Sequence, residues 1–319
     1  MDFAGKAGFC LVWGDLTGVS VQQNDRHGLV WALSGFALLT CGDAVVKTMV
    51  GAWAPTAIAA LRYVIGAAGL GVLLALREGR AGFRVPLPWL QVMRGFAVGM
   101  ATIGFFSAII YMPLATATAI TFTSPMITAL LSAMFLGEPA RRETWMASAI
   151  AFAGVLVVLR PNFSALGFAA LLPMLSAVGM SLLMIGNRAS AGKASGLALQ
   201  FFVASFASVF LVTAALIGAN SGIARLAVAV PGWTVVARCA IVAASASFAH
   251  WAIYQGTARA GAATIAPMTY VQLIVATVLG FVVFHDHPDA MTLLGAAMII
   301  GAGLWLWNAG RWQAPTNTD

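Results

Sequence analysis

The sequence predicts an all-α membrane protein: ten transmembrane helices, arranged as two inverted five-helix repeats around a central cavity. Three observations carry this. Of 319 residues, 61% are hydrophobic and 8% charged, with a mean hydropathy of +0.92, whereas a soluble domain carries about a quarter charged residues. The apolar runs are long and rich in Ala, Leu, Gly and Met rather than short and alternating, which selects helices over barrel strands. A W-x4-R opening occurs at Trp89 to Arg94 and again at Trp233 to Arg238, 144 residues later.

A helical span needs ~20 mainly apolar residues, and charged or Pro/Gly-rich breaks divide the chain after Gly28 into ten of them. The first, 29–50, follows Asp25-Arg26, and the second, 54–76, runs to Arg77 and Arg80. The third, 89–111, opens after Pro88 and is separated from the fourth, 114–136, only by Met112-Pro113, so these two are antiparallel neighbours. Gly137-Glu138-Pro139 and Arg141-Arg142 precede the fifth, 144–159, which is the shortest, and Arg160-Pro161 ends it. The sixth and seventh, 166–186 and 197–218, are parted by Arg188 and Lys193. Pro231-Gly232 introduces the eighth, 233–255; Arg259 precedes the ninth, 261–284; His285 to Asp289 separates it from the tenth, 291–308. Residues 1–28 hold one short apolar stretch, Phe9 to Trp13, bracketed by Lys6 and Asp15. It is too short to span and lacks the continuous apolar region and cleavage site of a signal peptide, so it reads as a cytoplasmic tail or an overlong start.

With the N-terminus placed inside, twelve of the 17 basic residues fall on the cytoplasmic side, Arg160 and Arg225 outside, and Lys47, Arg62 and Arg238 within spans. This obeys the positive-inside rule and places both termini in the cytoplasm. The net charge of +7 is therefore chiefly a topology signal, and so few charges build no phosphate-tracking surface for nucleic acid. Cys10, Cys41 and Cys239 stand far apart with no CxxC or Cys/His spacing, so neither a disulfide framework nor a metal site is indicated.

Downstream of the repeated W-x4-R, Thr118 to Ile120 matches Ala263 to Ile265, and Gly137-Glu138-Pro139 falls near Asp286-His287-Pro288. Residues 29–160 and 161–310 thus read as two copies, with 311–319 a cytoplasmic tail. Because five is odd, the second copy enters the membrane in the opposite sense, which is the organisation of secondary transporters. The residues Arg62, Arg94-Gly95, Met112-Pro113-Leu114-Ala115, Ser124-Pro125-Met126, Phe135 to Pro139 and Gly154-Val155 resemble the EamA repeat of the drug/metabolite transporter superfamily. Ala266-Pro267 through Gln272, Phe284 to Asp289 and Leu294 to Ala297 resemble the second EamA copy, in the branch with S-adenosylmethionine and riboflavin uptake carriers. The resemblance implies a ten-helix basket in a bacterial inner membrane carrying a small organic metabolite, with no cofactor and no obligatory oligomer. One departure is Asp286, which stands where the repeat has Glu, crowded by His285, His287 and Asp289.

Ionisable groups inside spans cost ~2.5 to 3.5 kcal/mol at the membrane centre and are functional candidates by default. Asp43 and Lys47 are four apart on one helical face, in the favourable acid-before-base order; they read either as a self-neutralising structural pair or as a substrate or proton site. Asp43 is the only acid in any span and the natural residue for proton coupling. Arg62 is read as its structural partner or as an anion clamp, and His250 as a packing residue or a proton or substrate contact. Segments four and nine carry hydroxyls and prolines at corresponding places, among them Thr121 with Pro125, and Pro267 with Tyr270 and Gln272. Proline frees backbone carbonyls, and broken helices at related positions point to a midplane site. Tyr270 and Gln272 lie about 200° apart on a helix, so one of the two faces the cavity. The sequence has no phosphate-binding loop, so the driving force is a gradient. The competing classes are a lipid-modifying intramembrane enzyme using the His285 to Asp289 cluster, and a non-transporting membrane subunit.

Overall fold

The computed structural model describes residues 25–136, 142–159, 167–190, 192–260 and 266–311, and these are helical almost throughout, with no strand among them. The expectations for the N-terminal tail through residue 24, for Gly137 to Pro139, for Arg160 and for 312–319 lie outside the described residues. In chain order the helices are α1 (Asp25–Lys47), α2 (Pro55–Glu78), α3 (Pro88–Tyr111), α4 (Leu114–Thr121), α5 (Ser124–Leu136) and α6 (Arg142–Leu159). They continue with α7 (Leu172–Ser190), α8 (Gly196–Ala219), α9 (Trp233–Ala260), α10 (Val271–Phe284) and α11 (Ala290–Arg311). Helical residues occupy parts of all ten apolar segments. Among the described residues, six stretches are long and apolar enough to cross a membrane: His27–Lys47, Pro55–Phe83, Pro88–Tyr111, Gly167–Asn187, Gly196–Ala219 and Trp233–Gly256. Trp145–Val158, Met268–Phe284 and Ala290–Trp305 are shorter apolar helices.

The boundaries follow local chemistry. α2 and α3 open with proline in their first turn, where its missing N–H costs nothing. Ser195 caps α8, its Oγ accepting from Ala198 N at 3.0 Å while donating to Glu78 Oε1 at 2.6 Å, so the end of α2 is tied to the start of α8. Asp289 Oδ1 accepts from Thr292 N at 2.8 Å and caps α11. The two proline-bearing segments are broken, as proline at these positions requires: the fourth divides into α4 and α5 around Phe122 and Thr123, and the ninth begins as a 3-10 turn, Ala266–Tyr270, before α10.

The packing runs mostly between the two halves of the chain. The most extensive contacts are α1 with α9, α3 with α7, α6 with α11 and α2 with α8; α1 also meets α10, and α5 meets α7. Small residues permit this closeness. A Cβ on Gly154 of α6 would lie 2.9 Å from the Gly295 carbonyl oxygen, and one on Gly295 of α11 only 2.6 Å from that of Gly154. On α7, a Cβ at Gly179 would stand 2.6 Å from the Ala97 carbonyl of α3. The Gly95 and Gly99 pair of α3 receives α8, against Phe206 and Phe210.

The distribution of polarity is that of a chain dissolved in lipid. Arg62, Arg94, Gln91, Thr40, Thr102 and Ser181 are buried, while Val72, Leu76, Leu156, Val209, Ile241 and Phe281 are exposed. Trp89 and Trp233, which open α3 and α9, are each 80% exposed at helix ends, where aromatic side chains meet headgroups.

Candidate transport cavity

The buried polar groups are gathered, not scattered. Helices α1, α2, α3, α4, α7, α9 and α10 surround a cavity holding about 680 Å³ of empty space. Asp43 and Thr40 reach it from α1, Arg62 and Tyr63 from α2, Thr102 from α3, Thr118 and Thr121 from α4, His250 from α9 and Gln272 from α10. A second space of about 530 Å³ adjoins it, sharing Arg62, Tyr63, Val98 and His250, and runs on to Arg94, Asn187, Gln200 and Ser247. The two form a path along the bundle interior with Arg62 and His250 at its waist.

Arg62 is 8% exposed. Its Nη2 donates to the Tyr63 hydroxyl at 3.3 Å, and its guanidinium lies over the rings of Tyr63 at 4.8 Å and Phe106 at 5.1 Å. The Tyr63 hydroxyl is in turn 3.1 Å from Thr102 Oγ1, which donates to the Val98 carbonyl at 2.8 Å. The guanidinium thus lies over two aromatic rings, with most of its five donors unclaimed by the described residues. Asp43, which faces the same space as Arg62, makes no ion pair and no hydrogen bond among the described residues. Thr118 and Thr121 spend their protons on the Leu114 and Ala117 carbonyls, at 2.8 and 2.9 Å, so they offer the cavity only acceptor lone pairs. The amide of Gln272 and the imidazole of His250 have no hydrogen-bond partner among the described residues and face the same space.

The structure separates two expected residues from this group. Lys47 does not pair with Asp43: its Nζ forms an ion pair with Asp286, in the loop between α10 and α11, and lies 4.5 Å from the Phe284 ring centroid. The helical spacing allowed an intrahelical pair, but Lys47 ends α1 and its long stem reaches the bundle end. Tyr270 turns away from the cavity that Gln272 faces. Its hydroxyl fills the place a Cβ on Gly303 of α11 would take, 1.4 Å away, and its ring stands edge-on to Phe122 at 5.5 Å. The His285 to Asp289 loop is structural: Asp286 is held by Lys47, Asp289 caps α11, and His287 packs edge-on to Phe281 at 5.2 Å.

Arg94, noted in the sequence as part of the repeated W-x4-R, has a part in the site. It is 2% exposed, donates to Asn187 Oδ1 from Nε at 3.0 Å and from Nη2 at 2.7 Å, and to Gln91 Oε1 from Nη1. Gln91 Nε2 then donates to the Pro86 carbonyl at 3.1 Å. This network locks α3 to α7 at one end of the path. Tyr63, Thr102 and Asn187 were also missed; their signal was the spacing of Tyr63 beside Arg62 and of Thr102 eight residues after Arg94.

Residues 26–160 match the model of the EamA-like transporter family. The S-adenosylmethionine uptake transporter of Rickettsia prowazekii is 23% identical over 88% of this chain and 92% of its own. The riboflavin transporter of Rhizobium johnstonii is 28% identical over 72% of this chain and 74% of its own. A crystal structure 20% identical to this chain superposes with a TM-score of 0.61 over 90% of this chain and 99% of that one, which shows a shared fold. With apolar helices able to cross a bilayer, the protein is multi-pass, and its residues 26–160 carry the similarity to the EamA-like transporter family.

Proposed function

We propose that the protein is a secondary, gradient-driven carrier of a small organic metabolite, working by alternating access of two inverted five-helix repeats, 29–160 and 161–310, in a bacterial inner membrane. The observation that carries this is the symmetry of the helix packing. If α1, α2, α3, α4/α5 and α6 correspond to α7, α8, α9, α10 and α11, the contact of α1 with α9 becomes that of α7 with α3, and the contact of α1 with α10 becomes that of α7 with α5. The contacts of α2 with α8 and of α6 with α11 map onto themselves. Two halves related in this way exchange roles when the path opens first to one side and then to the other.

The side chains that latch the ends follow the same exchange. Arg94 corresponds to Arg238, and under the alignment of Gly28 with Gly167, Thr48 corresponds to Asn187. Arg94 donates to Asn187 at one end; Arg238 donates to the Thr48 carbonyl at 3.2 Å and its Oγ1 at 3.3 Å at the other. In the first latch the buried Arg94 directs two N–H donors at one Asn187 oxygen; the second is exposed and long. An alternating pair of gates needs this kind of inequality in any one state.

Asp43 is the acid available for coupling to protons, since it is unpaired and lines the path. The relatives' names support S-adenosylmethionine or a riboflavin-like metabolite as cargo. Comparing metabolite contents of cells lacking the protein with cells overproducing it, and with cells producing Asp43→Asn, tests the reading. Opposite changes in one metabolite, absent with the variant, support it; identical profiles in all strains overturn it.

A further inference from the structure

Resting on the carrier reading, the geometry points to a substrate with an α-amino-acid head, its carboxylate read by Arg62 and its ammonium by Asp43. Asp43 of α1 and Arg62 of α2 line this one cavity, an acid and a base on adjacent helices. They nevertheless form no ion pair within 4.0 Å, although the side chains of α1 and α2 face the same space. Opposite charges that line one cavity without pairing are each left to be completed by a ligand, because an unpaired charge is costly when buried.

Arg62 is prepared for this. Its guanidinium lies over the Tyr63 and Phe106 rings, and among the described residues its hydrogen bonding amounts to one 3.3 Å contact, which leaves a planar fork of donors suited to a carboxylate. Asp43 offers acceptors only. Lys47, the cation that could have neutralised Asp43 from its own helix, is instead committed to Asp286. The remaining cavity groups, His250 and the Gln272 amide, are uncharged donors and acceptors or titrate singly, so they supply no second ionic pair. A neutral tricyclic ring with a polyol tail has no use for two opposite fixed charges; a zwitterionic head uses both.

The experiment is equilibrium binding to the purified full chain in lipid nanodiscs. The probes are S-adenosylmethionine, its decarboxylated analogue, its 2-oxo analogue lacking the ammonium, riboflavin, and the twenty proteinogenic L-amino acids. In the wild type, loss of either head group weakens binding of the adenosyl probe about thirtyfold or more. Arg62→Gln removes the preference for the carboxylate and leaves that for the ammonium; Asp43→Asn does the reverse. Each comparison is made within one variant, so altered protein yield does not enter, and the wild-type series decides alone where a variant fails to fold. Equal binding of the three adenosyl probes overturns the inference, as does binding of riboflavin alone or of none of the probes. Riboflavin binding alone leaves the carrier reading standing; absence of flux for every probe in proteoliposomes overturns that reading separately.

Discussion

Arg94→Met separates a latch from a packing residue. The substitution keeps a long apolar stem and deletes three hydrogen bonds, two to Asn187 and one to Gln91. A hydrogen bond from a charged donor is worth about 1.5–3 kcal/mol net. Because the three share one guanidinium and are not additive, about 3 kcal/mol is assigned to the whole latch. If that energy favours the state in which α3 and α7 are locked, its loss shifts the population toward the opened state by roughly a hundredfold. Arg238→Met removes only exposed bonds of 3.2 and 3.3 Å, worth about 0.5 kcal/mol, or roughly twofold. The assay is the rate of maleimide labelling at Ser247→Cys, which lines the path near Arg94, in a chain whose native cysteines are replaced. Labelling is expected to rise at least about tenfold in Arg94→Met and no more than about twofold in Arg238→Met. An unchanged rate in folded, monodisperse Arg94→Met, or equal rises in both variants, would refute the latch.

Asp43→Asn removes the one titratable carboxyl of the path; pH-gradient stimulation of flux is expected to vanish while the thermal midpoint stays, and retained stimulation assigns coupling elsewhere. Breaking the Lys47 to Asp286 pair from either side leaves a half-buried charge alone, a loss of about 1 kcal/mol and a lower thermal midpoint; Lys47→Met with Asp286→Asn should recover much of it, and additive losses would show the pair is not coupled. Gly154→Val drives a branched side chain into the Gly295 backbone, so a destabilisation of about 2–3 kcal/mol is expected by thermal shift, against a neutral effect at Gly69, where a Cβ meets nothing within 4 Å.

Composition and break residues alone located the helices, because a membrane span is specified by length and apolarity and needs no partner to be recognised. The breaks at Thr123 and at Tyr270 were legible for the same local reason: proline acts on its own neighbourhood. The cavity was legible in part. Asp43, Arg62, Thr121, His250 and Gln272 were singled out as polar groups in apolar helices, and they line one space. What sequence could not supply was rotation and reach. Lys47 shares a face with Asp43 but lies one turn nearer the helix end, where its stem finds Asp286 instead. Tyr270 and Gln272 were known to point apart; which of them faced inward depended on Gly303 of α11, which leaves room for the hydroxyl. Arg94 stood out in the sequence only by its repetition as Arg238; its bonds to Asn187 and Gln91 needed the packing of α3 against α7.

The central claim is that this chain by itself moves a small metabolite down a gradient through the Asp43 and Arg62 cavity. Proteoliposomes containing only the purified chain, preloaded with unlabelled S-adenosylmethionine or riboflavin and supplied with trace labelled compound outside, test it by counterflow. Transient, saturable accumulation of one of the two without nucleotide is the predicted result, with accumulation of S-adenosylmethionine weakened by Arg62→Gln. Accumulation of neither above protein-free liposomes would contradict the account.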